Sequence, residues 1–171
     1  MSGPGYYGKY RGTVVNSIDP EGIGRIQALV PGVPGLEKAP TTWAYPCVPI
    51  AGTQRGVYAV PEPGAGVWIE FERGDPRYPV WVGGFWGTVA EVPADAKTGV
   101  PVLPSIVLQT SPKTVMVVSE LPGPTGGIIL RSGLASISIN ETGILIQNGQ
   151  GASLQLTGPS VVVNNGALTV L

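Results

Sequence analysis

The sequence contains no histidine and a single cysteine in 171 residues. Without histidine it lacks the usual general base, the Ser-His and Cys-His nucleophile pairs, and the commonest transition-metal ligand. Cys47 alone forms no internal disulfide and no cysteine-rich zinc site. Charge is scarce: charged residues make up 12% of the chain, about half the usual ~25%. A formal net charge of −1 offers no large phosphate-binding surface. No apolar run approaches the ~18 residues of a membrane-spanning helix. The opening residues carry no apolar core of a secretory signal, so assembly in the cytoplasm is expected. Long helices are excluded as well, because Gly, Pro or β-branched residues interrupt every long stretch.

What is abundant is glycine, with 26 residues, and proline, with 18. An apolar fraction of 43% and near-zero net charge set the chain apart from disordered sequences, which combine low hydrophobicity with high charge. Many short strands separated by turns fit both facts.

The chain divides into unlike halves. Every aromatic residue lies between Tyr6 and Trp86, and between residues 127 and 171 the only charges are Arg131 and Glu141. The first half reads as a small barrel. Residues 10–18 form a β-branched strand, and Asp19-Pro20-Glu21-Gly22 is placed as a type I turn prefers. Residues 25–30 return as the hairpin partner. Shorter extended pieces follow at 43–50 and 58–60, broken by proline as edges and bends are. Residues 67–72 alternate, with Val67, Ile69 and Phe71 on one face. Gly74, Asp75 and Pro76 open the next turn, and residues 80–85 complete that hairpin. About five short strands predict a five-stranded barrel of the OB type.

The second half repeats. Apolar pairs two residues apart occur at Ile128/Leu130, Ile137/Ile139, Ile144/Ile146, Leu154/Leu156, Val161/Val163 and Leu168/Val170, with earlier candidates at Ile106/Leu108 and Val115/Val117. Glycines punctuate them. Each unit is one very short strand and one turn, which closes no core alone but stacks as a β-solenoid. The units are too few for a stable single-chain coil. Three identical chains wound together would instead bring these residues to a threefold axis, where the absence of aromatic rings suits a narrow core. The predicted class is therefore all-β: an OB-fold barrel followed by an intertwined triple-stranded β-helix, in a homotrimer. The expected divisions are an arm at 1–8, the barrel at 9–87, a connector at 88–104 and the shaft at 105–171. The expected trimer core is Ile128, Leu130, Ile137, Ile139, Ile144, Ile146, Leu154, Leu156, Val161 and Val163.

Several pieces of the barrel resemble a known family: Tyr10-Arg11-Gly12-Thr13-Val14, Gly24-Arg25-Ile26-Gln27, Val30-Pro31-Gly32 and Trp43-Ala44. The most specific runs from Phe71 through Gly74-Asp75-Pro76 and Pro79-Val80 to Gly83. These resemble the OB domain of phage baseplate assembly protein V and the type VI secretion VgrG spikes, and the glycine-rich tail resembles their triple-stranded β-helix. The resemblance implies the homotrimeric central spike of a contractile injection machine. Its barrels would form a collar on a hub protein, and its shaft would pierce the target membrane when the sheath contracts. Relatives with a self-sufficient tip bind iron through a His-x-His motif, which a chain without histidine lacks. A separate tip protein resembling PAAR-repeat caps is then expected, docked on Leu168, Val170 and Leu171.

Other readings carry less. OB folds bind single-stranded nucleic acid through stacked aromatics and basic residues, but residues 1–86 hold seven basic and seven acidic side chains. Gly3-Pro4-Gly5-Tyr6-Tyr7-Gly8 fits a dinucleotide fingerprint by spelling, yet it precedes a strand and opens no helix, so it reads as a flexible arm. Glu70 and Glu72 would share a strand face and offer paired carboxylates, a pattern common on solvent-facing strands. Asn140-Glu141-Thr142 is a glycosylation sequon in spelling only. Cys47, among Tyr45, Val48 and Ile50, is expected to be a buried, inert thiol. No catalytic residue, cofactor or metal is expected, nor a nucleic-acid partner. The competing reading is a trimeric fibre or adhesin with an OB-like head.

Overall fold

The structure is a computed structural model that describes residues 5–98 and 103–170, with side chains described to Leu168. The chain folds as two compact units, Met1–Val89 and Ala90–Leu171. Residues 90–98, expected as connector, fold with the second unit. Among the described residues no helix is long and apolar enough to cross a membrane.

The first unit contains β1 (Tyr10–Asn16), β2 (Gln27–Leu29), β3 (Tyr45–Pro46), β4 (Ala51–Gly52), β5 (Arg55–Gly56), β6 (Gly66–Phe71) and β7 (Pro79–Phe85). Five of them form one curved sheet in the order β2-β1-β6-β7-β3, antiparallel except where β3 runs parallel to β7. The alternation of β6 works as a half-buried strand should. Val67, Ile69 and Phe71 enter a core with Val14, Ile26, Ala28, Val30, Val33, Ala44 and Trp81. The Trp81 indole, buried there, donates to the Gly24 carbonyl at 3.0 Å.

The β1–β2 hairpin turns as expected, with the Gly22 N–H donating to the Asp19 carbonyl at 3.0 Å. The Asp19 carboxylate also accepts from the Glu21, Ile23 and Arg25 N–H groups and from the Arg25 guanidinium, at 2.6 Å from Nη2. Arg25 is buried, lies over the Trp43 and Tyr45 rings, and pairs with Glu21 at 2.9 Å. The Arg25 hydrogen bonds hold the Asp19 carboxyl well below the usual carboxylate range.

Four expectations need correction. Residues 58–60 form no strand; the small β4–β5 hairpin stands just before them. The turn after β6 comes one residue later than expected, closed by the Tyr78 N–H on the Asp75 carbonyl at 3.0 Å. Cys47 is exposed, because alternation turns Pro46 and Val48 inward and the thiol outward. The arm is docked at Tyr6: its N–H donates to the Gly74 carbonyl at 2.8 Å, and its ring meets Tyr10 and Phe71 edge-on.

The second unit contains β8 (Ser105–Ser111), β9 (Thr114–Ser119), β10 (Gly127–Ser132), β11 (Ala135–Asn140), β12 (Gly143–Gln147), β13 (Ser153–Thr157), β14 (Ser160–Val163) and β15 (Leu168–Val170). They form one eight-stranded antiparallel meander, each strand paired with its neighbours in sequence. Gly133 and Gly158 sit in two-residue hairpin loops at φ 61° and 55°, a conformation that costs glycine nothing. One chain therefore builds a continuous antiparallel sheet of short strands, which is consistent with the expected triple-stranded β-helix of three chains. The tight loops join consecutive strands as hairpins.

Candidate functional site: an apolar sheet face

Residues directly opposite in an antiparallel ladder share a face. The register therefore defines two apolar rows across the second unit. One row runs Leu108, Met116, Leu130, Ile137, Ile146, Leu154, Val163, Leu168. The other runs Ile106, Val118, Ile128, Ile139, Ile144, Leu156, Val161. All ten residues expected in a trimer core lie on this one face. No polar side chain interrupts either row. A trough of about 860 Å³ follows the first row, lined by Leu108, Met116, Leu130, Ile137, Ile146, Leu154 and Val163.

The face is exposed in the single chain, Ile106 by 64% and Leu108 by 63%. A contiguous apolar surface of this extent marks an interaction site. Of the residues expected to meet a cap, Leu168 lies on this face and is exposed. Val170 is opposite Val161 in the backbone register, with its side chain outside the described residues, as is all of Leu171.

The sequence missed Met116 and Val118. It offered Val115 and Val117, which the register turns to the opposite face, where both are buried. In the run Val115-Met116-Val117-Val118 both alternations are apolar, so only the pairing with Ile128 and Leu130 fixes the phase. On that opposite face, Arg131 donates to Asp95 at 2.6 Å. This bond fastens the 3-10 turn Ala94–Lys97, which lies against β8. Farther along, the same face mixes the uncharged polar side chains of Ser136, Ser138, Gln147, Ser153 and Gln155 with Leu145 and Val162.

The carboxylates that the sequence singled out in the first unit are engaged structurally. Glu70 accepts from Lys9 at 2.6 Å, and Glu72 sits in the 3-10 turn Glu72–Gly74, off the strand that was to align the two carboxylates. Asp75 accepts a fork of bonds from Arg77, which hold its carboxyl below the usual range. Pro76 lies within that turn, and Gly74, at φ 75°, directly precedes it. Among the described residues no three His, Cys, Asp or Glu side chains cluster to hold a metal ion.

Comparison with curated proteins gives no match. Family models match two segments. Residues 10–86 match the type VI secretion system/phage-baseplate injector OB domain. Residues 105–169 match the phage baseplate V C-terminal trimerisation domain. The two matches together span most of the chain, and the chain belongs to the family of phage baseplate assembly protein V and VgrG-like spikes.

Proposed function

We propose that the protein is the central spike of a contractile injection baseplate and works as a homotrimer whose sheets pack by their apolar faces around a threefold axis. The observation that carries this is the bare face on a sheet whose strands already pair within one chain. Such a chain needs a partner for side chains, not for backbone. Met116, Val118, Ile128, Ile139 and Ile146 each retain 41–44% exposure. Completing their burial contributes about 0.6–1.3 kcal/mol each, and the whole face on the order of 10 kcal/mol per chain. That is commensurate with an association cost of about 4–15 kcal/mol.

The barrels would seat on a hub protein, and a PAAR-like tip would cover the β15 end, where Leu168 is exposed. Sheath contraction would drive the shaft into the target membrane. The role is mechanical: no catalytic step, cofactor or nucleic acid enters it. Assembly takes place in the cytoplasm, before incorporation into a tail or injection particle. Light scattering on the purified chain tests the trimer; a monomeric mass would refute it. Particles assembled without the chain should contract yet fail to breach the envelope.

A further inference from the structure

The sequence holds two Asn-Gly pairs, Asn148-Gly149 and Asn165-Gly166, both in loops of the second unit. Asparagine loses its side-chain amide most readily before glycine, which has no Cβ to shield its own nitrogen. The fold treats the two pairs differently. Between β12 and β13, the Asn148 Oδ1 accepts from the Gln150 and Ala152 N–H groups at 2.8 and 3.1 Å. The Asn148 N–H donates to the Ala152 carbonyl at 3.1 Å. Gly149 is wedged as well, since a Cβ there would stand 2.3 Å from the Leu134 Cβ. Between β14 and β15 the residue held is Asn164, whose Oδ1 accepts from the Ser153 N–H at 3.0 Å. Asn165 is exposed, and its side chain has no hydrogen-bond partner among the described residues. Asn164 and Asn165 both lie in the left-handed region, at φ 49° and 54°, which costs a residue with a Cβ more than it costs glycine. Beside Gly166 the space a Cβ would fill is open.

We propose that Asn165-Gly166 is a site of spontaneous deamidation, while the fold protects Asn148-Gly149. At Asn165 ψ is 31°, which turns the Gly166 nitrogen away from the side chain. The reaction therefore begins when the exposed loop swings that peptide plane round. The Gly166 nitrogen gives its proton to solvent hydroxide and attacks the Asn165 Cγ. The N–Cγ bond forms, the Cγ–Nδ2 bond breaks, and the amide nitrogen leaves as ammonia with a proton from water. Water then opens the five-membered imide at either carbonyl, giving Asp or the isomer whose chain continues through the side-chain carboxyl. One water is consumed, one ammonia is released and one carboxyl group is gained, with no redox change. Residues 142–171 hold no charged side chain, so the new carboxylate stands alone in that stretch. The isomer also adds one backbone carbon between β14 and β15, where Val163 is paired with Leu168. The added length loosens β15 and withdraws Leu168 from the first apolar row. This chemistry needs one chain only and stands apart from the trimeric reading.

The test ages the full-length chain in mildly alkaline buffer and follows both pairs by peptide mapping, with fragmentation that separates Asp from its isomer. Two hydrogen bonds that must break first slow a reaction roughly tenfold to a hundredfold. Asn165 should therefore convert at least about tenfold faster than Asn148 in the folded chain. In strong denaturant the two should convert at similar rates, because no fold then distinguishes them. Asn165→Gln, whose longer side chain closes no five-membered imide, should abolish the fast conversion. Amide exchange across Leu168–Val170 should quicken on ageing in the wild type and not in that variant. Equal rates for the two pairs in the folded chain, whether both convert or neither does, would overturn the proposal. A difference that persisted in denaturant would overturn it too, by tracing it to sequence and not to fold. Unchanged exchange in β15 once Asn165 has converted would refute the loosening of that strand.

Discussion

Replacing Ile146 by Asp puts the packing of the sheet face to its most direct test. Ile146 stands mid-sheet on β12, opposite Ile137 and Leu154, and is 41% exposed in the single chain. Removing its remaining burial costs about 0.6–1.2 kcal/mol per chain, or about 2–4 kcal/mol per trimer. The carboxylate matters more, since each unpaired ion driven from water costs several kcal/mol. Three of them near one axis bring the penalty to roughly 10 kcal/mol or more, comparable to the whole gain from one chain's face. The variant should elute as a monomer or aggregate, and its shaft should lose its melting transition. Gln147→Asp is the control. Gln147 is exposed on the opposite face and gives up one hydrogen bond to Ser136 at 3.0 Å, about 0.5–1.5 kcal/mol. It should remain a trimer. Light scattering with a thermal melt reads both, and equal losses from the two variants would refute the assignment of faces.

Val117→Ala should destabilise the second unit by about 1–3 kcal/mol, because the side chain is buried on the face opposite the apolar rows; a denaturant melt measures it. Asp19→Asn should weaken the first unit in a pH-dependent way. Since folding lowers the Asp19 pKa, its contribution is complete above the unfolded carboxylate value of about 3.9 and fades as pH falls below it. The wild-type and variant melts should thus differ steadily from neutral pH to about 5 and converge in stronger acid. Gly74→Ala should cost about 1–2 kcal/mol, since Gly74 holds φ 75° and a Cβ would stand 3.0 Å from the Tyr6 nitrogen. Faster amide exchange at Tyr6 would show the arm released.

The alternation that places Ile69 and Phe71 inward was legible in the sequence, because Glu70 separates them. The pairs Ile137/Ile139 and Leu154/Leu156 were legible for the same reason, with Ser138 and Gln155 between them, and the others followed from their spacing along the chain. The phase of β9 was not, since four consecutive apolar residues carry no period. Strands of two residues, as in β4 and β5, are too short to show any alternation. The Asp19 turn could be read from Pro20 and Gly22, but the reach of its carboxylate to Arg25 depends on how the hairpin returns. Apolar spacing could likewise identify the residues of the shared apolar face without revealing which strand lies beside which. That choice is made by loop geometry, which the spacing leaves open.

Sequential pairing in the meander separates the timing of two events. Each strand from β8 to β15 finds its partner only a few residues away, so the sheet has low contact order and can form quickly within a single chain. Only the association of chains then depends on concentration. The same locality makes length adjustable in steps. Removing β11 and β12 together would leave β10 and β13 still antiparallel, with the apolar rows still aligned. Removing one strand would reverse every direction beyond it. A shaft built this way grows or shrinks by whole hairpins, about 10 Å at a time.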